Sequence, residues 1–283
     1  MARVVVPEAE EILDKEFAVL DKGFVRLVDY LGGDERIVQS ARVSYGKGTK
    51  SFREDRGLIR YLMRNRHTSP FEQVVFTFHA KMPVFVARQW VRHRTARLNE
   101  ISGRYSVMQD EFYLPGLDEV TYQSSTNRQG RGERLPEDAA SRTIETMRQQ
   151  QEQAYAGYER LLEAGIAREL SRINLPLSVY TEWYWQIDLN NLFHFLDLRL
   201  DAHAQYEIRK YAEAMLQVAK TVCPLATEAF EDYVLHAETF ARQERDALNT
   251  LVAHLGHERI EAAAREAGLG ERERERFGAK LRR

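Results

Sequence analysis

The sequence predicts a single α+β domain with few strands and long helices. Segments rich in β-branched and aromatic residues are few, whereas stretches with apolar residues at helical spacing occupy much of the 283 residues. With 43% hydrophobic residues, the chain can bury a substantial core. It contains no internal repeat and no linker that divides two cores. One domain is therefore expected.

Four segments have the composition of strands. The segment KGFVRLVDYL is followed by two glycines that end it, and the segment VYTEWYWQI is strongly aromatic. The predicted strands are residues 22–31, 74–80, 106–114 and 179–187.

Helices are predicted between and after these strands. Asp34 is expected to be the N-cap of the first, Pro83 suits the first turn of another, and Gly165 ends the longest. The predicted helices are residues 35–43, 51–66, 84–98, 137–163, 167–173, 190–200, 204–222 and 224–241.

Three segments differ from this pattern. Residues 1–20 form a charged lead-in, and residues 116–136 are rich in Gly, Ser, Asn, Gln and Arg, which predicts a long, exposed and flexible loop. Residues 237–283 are highly charged and are expected to form a helical extension that is solvated or contacts a partner. The predicted domain therefore spans residues 1–236.

The composition excludes several classes of protein. Lys and Arg total 41 against 43 Asp and Glu, which is unlike a globally basic nucleic-acid binder. The single cysteine, Cys223, excludes an internal disulfide framework and a cysteine-only metal cluster. No apolar run approaches the ~20 residues of a membrane span, and the N-terminus lacks the apolar core of a signal peptide. These features predict a soluble cytoplasmic protein.

Common cofactor and catalytic motifs are absent from the sequence. It has no Gly-x-Gly-x-x-Gly after a strand, no Walker phosphate loop, no His-Glu-x-x-His and no Gly-x-Ser-x-Gly. Only His254 and His257 approach the spacing of metal ligands, and no carboxylate or thiol cluster accompanies them. No metal site is expected.

The densest charge lies between Arg88 and Arg104. On the predicted helix, Gln89, Arg92 and His93 share one side and Arg94 points the opposite way, so one helix could serve two anionic ligands. The residues Ser102-Gly103-Arg104 after it supply exposed amides, a hydroxyl and a guanidinium, which suit a second anion. An exposed basic helix is the alternative, but the neighbouring apolar residues favour partial burial; they are Phe85, Val86, Trp90 and Val91.

The chain resembles the flavin-dependent thymidylate synthases, the ThyX family. Arg92-His93-Arg94, seven residues and then Ser102 match the signature of that family. The upstream sequence HTSPFE (residues 67–72) and the downstream DAHAQ (residues 201–205) are also similar, and the resemblance spans roughly residues 20–233. It implies a ThyX-type fold with a small, mostly antiparallel sheet, and a homotetramer whose active sites are shared between subunits.

The resemblance also implies an activity. Such enzymes are methyltransferases that make dTMP from dUMP, with methylene from 5,10-methylenetetrahydrofolate and hydride from FADH2 that NADPH regenerates. They do so without a cysteine nucleophile. Cys223, which precedes Pro224 in apolar surroundings with no evident base, is interpreted as a structural thiol.

The resemblance assigns two overlapping sets of residues. The FAD set is Ser69, Glu72, Arg92, His93, Arg94, Glu100, Asp188, Leu189, Asn190 and His194, with His67 beside the flavin ring where folate or NADPH binds. The dUMP set is Gln89, Arg92, Glu100, Ile101, Ser102, Gly103, Arg104, Arg172 and Arg199. Some relatives carry Asn where this chain has Asp188 or His194, and an acidic Asp188 is expected near ribose or adenine, away from phosphate.

Two of these residues are candidates for catalysis. Arg199 against the N3–C4=O edge of the pyrimidine would stabilise negative charge on the ring and make C5 a better nucleophile. The alternative for Arg199 is an ion-paired helix face with Asp197, Asp201 and His203. No His–Asp pair is positioned by sequence to activate Ser102, which is therefore expected to bind and polarise the substrate.

Two other functions remain open from the residues alone. An arginine-rich nucleic-acid-binding module would use the basic segment and the Arg-Gly-Glu-Arg of the predicted loop. A flavin oxidoreductase on the same scaffold would bind FAD without transferring a methyl group.

Overall fold

The computed structural model describes residues 4–45, 52–126 and 128–281. Ser51, the expected start of one helix, lies outside the described residues. The chain divides into two compact units, Met1–Leu235 and His236–Arg283. The first unit is an α+β fold with a small antiparallel sheet, which confirms the predicted class. No helix in the described ranges combines the length and apolar character needed to cross a membrane.

The strands of the first unit are β1 (Glu16–Val19), β2 (Gly23–Leu31), β3 (Val75–Pro83), β4 (Arg97–Glu100), β5 (Thr121–Gln123), β6 (Arg131–Arg134) and β7 (Tyr180–Asp188). Its helices are α1 (Pro7–Glu10), α2 (Asp34–Ala41), α3 (Phe52–Arg64), α4 (Val84–Trp90), α5 (Glu137–Glu163), α6 (Arg168–Ser171), α7 (Leu189–Leu200), α8 (Tyr206–Val222) and α9 (Pro224–Phe230). A π-helical turn, Glu231–Leu235, follows α9, and short 3₁₀ turns lie at Arg42–Tyr45, Phe71–Gln73, Leu117–Glu119 and Arg172–Asn174.

The main sheet has five antiparallel strands in the order β1-β2-β3-β7-β4. The period-two pattern of β3 and β7 places aromatic side chains on one face, where Phe78 lies opposite Trp185 in the register. That face is the core side, since Phe78 and Trp185 are at most 1% exposed. The other face carries polar groups, with His79 between Arg26 and Tyr184.

Trp90, the last residue of α4, is the centre of the core. Its side chain is fully buried, with the ring edge-on to Trp183 and Trp185 at centroid distances of 5.2 and 5.3 Å. Phe195 of α7 and Tyr211 of α8 pack on the same indole at 5.2 and 5.7 Å. One residue therefore joins α4, the sheet and two helices.

The helix predicted over residues 84–98 is wrong after Trp90. The chain leaves helical geometry there, and Arg97–Glu100 pair as a strand with β7, with Arg97 opposite Gln186 and Glu100 opposite Trp183. The segment after Trp90 is dominated by charged residues and offers no apolar stripe to bury a helix, whereas β7 has a free edge that needs partners. The opposite orientations expected for Arg92 and Arg94 on a helix therefore do not apply.

Four other predicted elements differ from the structure. The helix predicted over residues 224–241 is α-helical only to Phe230 and ends in a π-helical turn at Leu235, before α10 begins at Arg242. The segment 106–114 is not a strand; only Phe112 forms a bridge, with Val179. The lead-in contains β1, which pairs with β2 across a tight connection. The expected loop 116–136 contains a 3₁₀ turn and the hairpin β5–β6. The lead-in and the loop have polar or charged compositions that do not favour strands, and they take strand geometry because a neighbouring segment of the chain pairs with them.

Asp34 does not cap its own helix. The N-cap of α2 is Gly33, and the Asp34 carboxylate instead accepts hydrogen bonds from the backbone N–H groups of Leu225 and Ala226, at 2.7 and 3.0 Å. These are N–H groups in the first turn of α9, so Asp34 caps a helix that begins 190 residues later in the chain.

The second unit consists of α10 (Arg242–Val252), α11 (His257–Glu266) and α12 (Glu271–Lys280). Its buried positions are few: Ala264 and Gly278 are buried, and Glu261 lies between Arg265 and Arg274. The charged segment predicted as a helical extension is helical here, with a mostly solvated surface.

The Asp34 cap makes the stability of the first unit pH-dependent. Burial raises the pKa of Asp34 to about 6 from 3.8, outweighing the two N–H donors. Because the folded state binds this proton more tightly, the free energy of unfolding falls as pH rises through 3.8 to 6 and slightly beyond. Between pH 5 and 8, we expect it to fall by about 1 kcal/mol relative to an Asp34→Asn variant, which cannot ionise at this position.

Urea unfolding of both proteins at the two pH values measures this difference. Comparison with Asp34→Asn cancels the titration of other groups. Parallel pH dependences would show that Asp34 titrates normally in the folded protein.

Candidate active site

Arg199 lies at the end of α7 and contacts two residues of the basic segment. Its Nε donates to His93 Nε2 at 3.0 Å, and a terminal nitrogen donates to the backbone carbonyl of Gln89 at 3.3 Å. Since a guanidinium can only donate, Nε2 of His93 is the acceptor and the ring proton is on Nδ1. Trp90 lies between these two contacts in the chain, and its burial fixes both.

His93 is neutral at physiological pH. Burial, the charge of Arg199 and the neighbouring His194 together lower the pKa of His93 to about 4. The His93 ring also packs edge-on to Phe195 at 4.9 Å and to His194 at 5.9 Å. Burial lowers the pKa of Arg199 as well, though an arginine stays charged.

Arg199 is not part of an ion-paired helix face, so that alternative is wrong. Asp201 lies beyond the end of α7 and accepts from the backbone and ring of His203, at 2.7 and 2.9 Å. Within the described residues, no carboxylate forms an ion pair with Arg199. The site therefore has a partly buried positive charge that a bound anion or polarised carbonyl could balance.

Arg92 and Arg94 follow α4 and are exposed. In the ranges that the structure describes, neither guanidinium has an ion-pair partner or hydrogen-bond partner. Unpaired guanidinium groups beside a neutral histidine suit phosphate oxygens, which accept two parallel N–H bonds.

A second group of predicted residues follows β4. The backbone N–H of Ile101 donates to Glu182 O at 2.9 Å and extends the strand pairing, while the Glu100 carboxylate accepts from the Thr181 hydroxyl at 2.6 Å. The turn that follows therefore begins at a fixed position on the edge of the sheet.

That turn lies against Arg172. A Cβ added to Gly103 would be 2.8 Å from Met108 Sδ and 3.1 Å from the Arg172 guanidinium, so a larger residue would have to displace these side chains. Arg104 donates to Glu169 at 3.1 Å and its backbone N–H donates to Ser102 Oγ at 3.3 Å. No histidine or carboxylate in the described residues bonds the Ser102 hydroxyl, which agrees with a binding role and not a nucleophilic one.

A third group surrounds a cavity of about 210 Å³ between α3 and α7. His67, Asn190 and His194 line it together with apolar side chains such as Phe71 and Phe193. The ring contact between His194 and His93 joins this cavity to Arg199.

The remaining FAD candidates do not line this cavity, although they neighbour its lining residues in the chain, and their exposures differ. Asp188 is the N-cap of α7 and accepts from the backbone and side-chain amides of Asn191, at 3.0 and 2.7 Å. Leu189 is fully buried and its N–H donates to Val74 O, whereas Ser69 and Glu72 are exposed before β3. Leu189 can therefore offer a ligand little beyond its backbone.

The structure adds one residue to which no role was assigned from the sequence. Gln205 accepts a hydrogen bond from the side-chain amide of Gln89 and donates to Glu207. Gln205 belongs to the DAHAQ motif, but nothing in the sequence indicates which distant side chain it contacts.

Among residues 4–45, 52–126 and 128–281, no group of three His, Cys, Asp or Glu side chains could hold a metal ion, and the His257 side chain is outside the described part. Cys223 is fully buried, and burial followed by the charge of Asp34 raises the pKa of its thiol well above the usual range. It cannot supply a thiolate at neutral pH.

The site residues described above, from His67 to Gln205, lie within a segment that matches a known family. The family model described as thymidylate synthase complementing protein matches residues 26–225. A flavin-dependent thymidylate synthase of Treponema denticola is 60% identical over 270 residues, covering 95% of this chain and 98% of that protein. The chain belongs to the flavin-dependent thymidylate synthases. A member from Treponema pallidum is 53% identical, and the match covers all of this chain and 90% of that protein.

A solved structure shows the same fold with a nucleotide analogue. The UMP/dUMP methylase PolB of Streptomyces cacaoi, bound with 5-Br dUMP, is 34% identical with a TM-score of 0.71. It covers 77% of this chain and 99% of its own. The chain is accordingly a methyltransferase of the flavin-dependent thymidylate synthase family.

The contact between Arg199 and His93 predicts the titration of this histidine. Replacing Arg199 by Met removes a nearby positive charge, so we expect the pKa of His93 to rise above 4 while staying below 6.5, because burial is the larger cause. The histidine Cε1–H signals in an NMR titration report this value, and a His93→Gln variant assigns the signal. Arg104→Met is the matched control and leaves the signal unchanged. An unchanged pKa in Arg199→Met would contradict the contact.

Proposed function

We propose that the protein makes dTMP from dUMP by reductive methylation, with methylene from 5,10-methylenetetrahydrofolate and hydride from FADH2 that NADPH regenerates. The observation that carries the proposal is Arg199, a partly buried cation held by neutral His93 and the Gln89 carbonyl with no paired carboxylate among the described residues. The names of the relatives and the nucleotide analogue bound to PolB support dUMP as the substrate.

The side chains available fit FAD. In the described part of the chain, the guanidinium groups of Arg92 and Arg94 have no partner and are available for the phosphates. The cavity lined by His67, Asn190 and His194 combines polar edges with an apolar floor. We assign FAD to Ser69, Glu72, Arg92, His93, Arg94, Glu100, Asp188, Leu189, Asn190, His194 and His67. Asp188 acts chiefly by fixing the start of α7, since both its oxygens accept from Asn191. When bound, FAD supplies the hydride for the transferred carbon.

The dUMP site uses the residues around Arg199 and the turn that follows β4. The turn Ser102-Gly103-Arg104 and Arg172 provide N–H, hydroxyl and guanidinium donors for the phosphate, with Gly103 packed against Arg172. Gln89, Arg92, Glu100, Ile101 and Arg199 surround the sugar and the pyrimidine. Glu100 is held by Thr181 and is therefore pre-oriented.

Arg199 has the principal chemical role. Two N–H groups of its guanidinium donate to His93 and to the backbone carbonyl of Gln89. Its remaining N–H donors face the N3–C4=O edge of the uracil. Positive charge there stabilises negative charge on the ring and makes C5 a better nucleophile. Neutral His93 holds the guanidinium without neutralising it, and Ser102 binds and polarises the substrate.

A homotetramer with shared active sites accounts for apolar side chains near the substrate turn. Tyr105, Ile173 and Leu177 are 78, 70 and 62% exposed in the single chain. Large apolar groups at such positions indicate a surface that another subunit covers. The cytoplasmic location stays a prediction from the composition, and folate and NADPH stay predicted co-substrates of the proposed reaction.

Cofactor and activity measurements separate the candidate functions. The purified protein should be yellow or take up FAD, and should release tritium from C5-labelled dUMP when given methylenetetrahydrofolate and NADPH. A yellow protein that oxidises NADPH without tritium release would be a flavin oxidoreductase. A colourless protein that rejects FAD and binds oligonucleotides in a strongly salt-dependent way would be a nucleic-acid-binding module.

Two variants test the assignment of the chemistry. Arg199→Ala should lower kcat/KM for tritium release by about 10²–10³-fold, the range for losing one electrostatic stabiliser of a developing charge. Cys223→Ala should keep its turnover although its buried cavity lowers the melting temperature. Full turnover in Arg199→Ala, or none in a folded Cys223→Ala, would refute the assignment.

A further inference from the structure

Glu207 is a buried carboxylate outside the residues assigned to dUMP and FAD. It lies in the first turn of α8 and is 2% exposed. Its oxygens accept from Arg131 of the hairpin and from the amide nitrogen of Gln205 at 2.9 Å. The Tyr113 hydroxyl lies 3.1 Å from Glu207 and shares its single proton with Glu119, which is also 3.1 Å away. Arg131 balances the charge of Glu207 and lies over the Tyr206 ring at 5.1 Å. Each oxygen of Glu207 is therefore held by a donor.

These contacts determine the orientation of two amides in succession. A carboxylate only accepts, so Gln205 must turn its NH₂ group to Glu207 and its carbonyl oxygen away. That carbonyl oxygen accepts from the NH₂ group of Gln89. The side-chain carbonyl oxygen of Gln89 is then the end of its amide that Gln205 does not hold. The backbone carbonyl of the same residue accepts from Arg199.

We propose that Glu207 and Gln205 are positioning residues that turn the carbonyl oxygen of Gln89 toward the nucleotide substrate. In this orientation Gln89 accepts from an N–H or O–H donor of the nucleotide and disfavours an anionic oxygen. The inference rests on the proposed function, because Gln89 belongs to the dUMP site only there. Neither residue touches the substrate; the effect is on binding and not on the chemical step.

Exchanging the two side chains tests the order of donors and acceptors. In Glu207→Gln alone, two NH₂ groups face each other, so Gln205 turns and Gln89 loses its acceptor. In Gln205→Glu alone, two carboxylates face each other and the new one turns away. In the double variant, the amide at 207 accepts from Tyr113 and Arg131 through its oxygen and donates to the carboxylate at 205. That carboxylate accepts from Gln89, so the original order is restored.

The measurements are dUMP affinity by calorimetry and the kinetics of tritium release, both on the FAD-loaded protein. Each single variant should weaken dUMP binding and raise KM by about tenfold, the effect of one lost hydrogen bond, with kcat nearly unchanged. The double variant should recover most of the loss. Glu213→Gln on the same helix, whose carboxylate pairs with Lys210 at the surface, is the matched control and should bind like the wild type.

Several outcomes overturn the inference. It is wrong if the single variants bind dUMP normally, or if the double variant binds as weakly as the single ones. Thermal unfolding distinguishes a variant that has lost its fold from one that has lost only its affinity for dUMP. Because Gln205 is exposed, Gln205→Glu keeps the test valid should Glu207→Gln not fold. If the wild type binds dUMP but Gln89→Ala binds it equally well, the inference fails while the proposed function stands. If the wild type does not bind dUMP, the proposed function itself fails.

Discussion

The packing of Trp90 is the constraint on which the site depends. Its indole is enclosed by Trp183 and Trp185 of the sheet and by Phe195 and Tyr211 of the helices above it. The end of α4 is thereby immobilised, and the polar residues on each side of Trp90 project from a rigid support. Aromatic burial on this scale contributes several kcal/mol and tolerates little change of shape. A precise arrangement of charge is possible here because an apolar contact fixes the backbone.

The electrostatic character of the site follows from what surrounds Arg199. The cation is partly buried and is held by a histidine that burial and charge keep neutral. A carboxylate in the place of His93 would hold Arg199 more firmly, but would cancel the charge that the substrate needs. The donors of Arg199 are therefore oriented in advance while its field remains available, which is how preorganised sites stabilise developing charge.

Local patterns predicted much of the fold, and motifs predicted most of the candidate site. The helix Glu137–Glu163 and the strand around Trp183 and Trp185 have strong periodicity or composition and were predicted nearly to the residue. β4 could not be predicted because its four exposed residues take strand geometry only beside β7. Asp34 illustrates the same limit: its capping role is visible in the sequence, but the helix it caps is not. Gln205 and Glu207 were missed since their roles exist only through side chains from other segments.

The strand order has a consequence for the growing chain. β3 is central in the sheet, but its neighbour β7 is made only after about a hundred further residues, and the Asp34 cap needs amides later still. While the ribosome synthesises the intervening segment, the apolar face and one hydrogen-bonding edge of β3 have no native cover. Closure of such distant pairs is slow and exposes strands to association with other chains. The arrangement that makes the finished core compact thus leaves its centre vulnerable during translation.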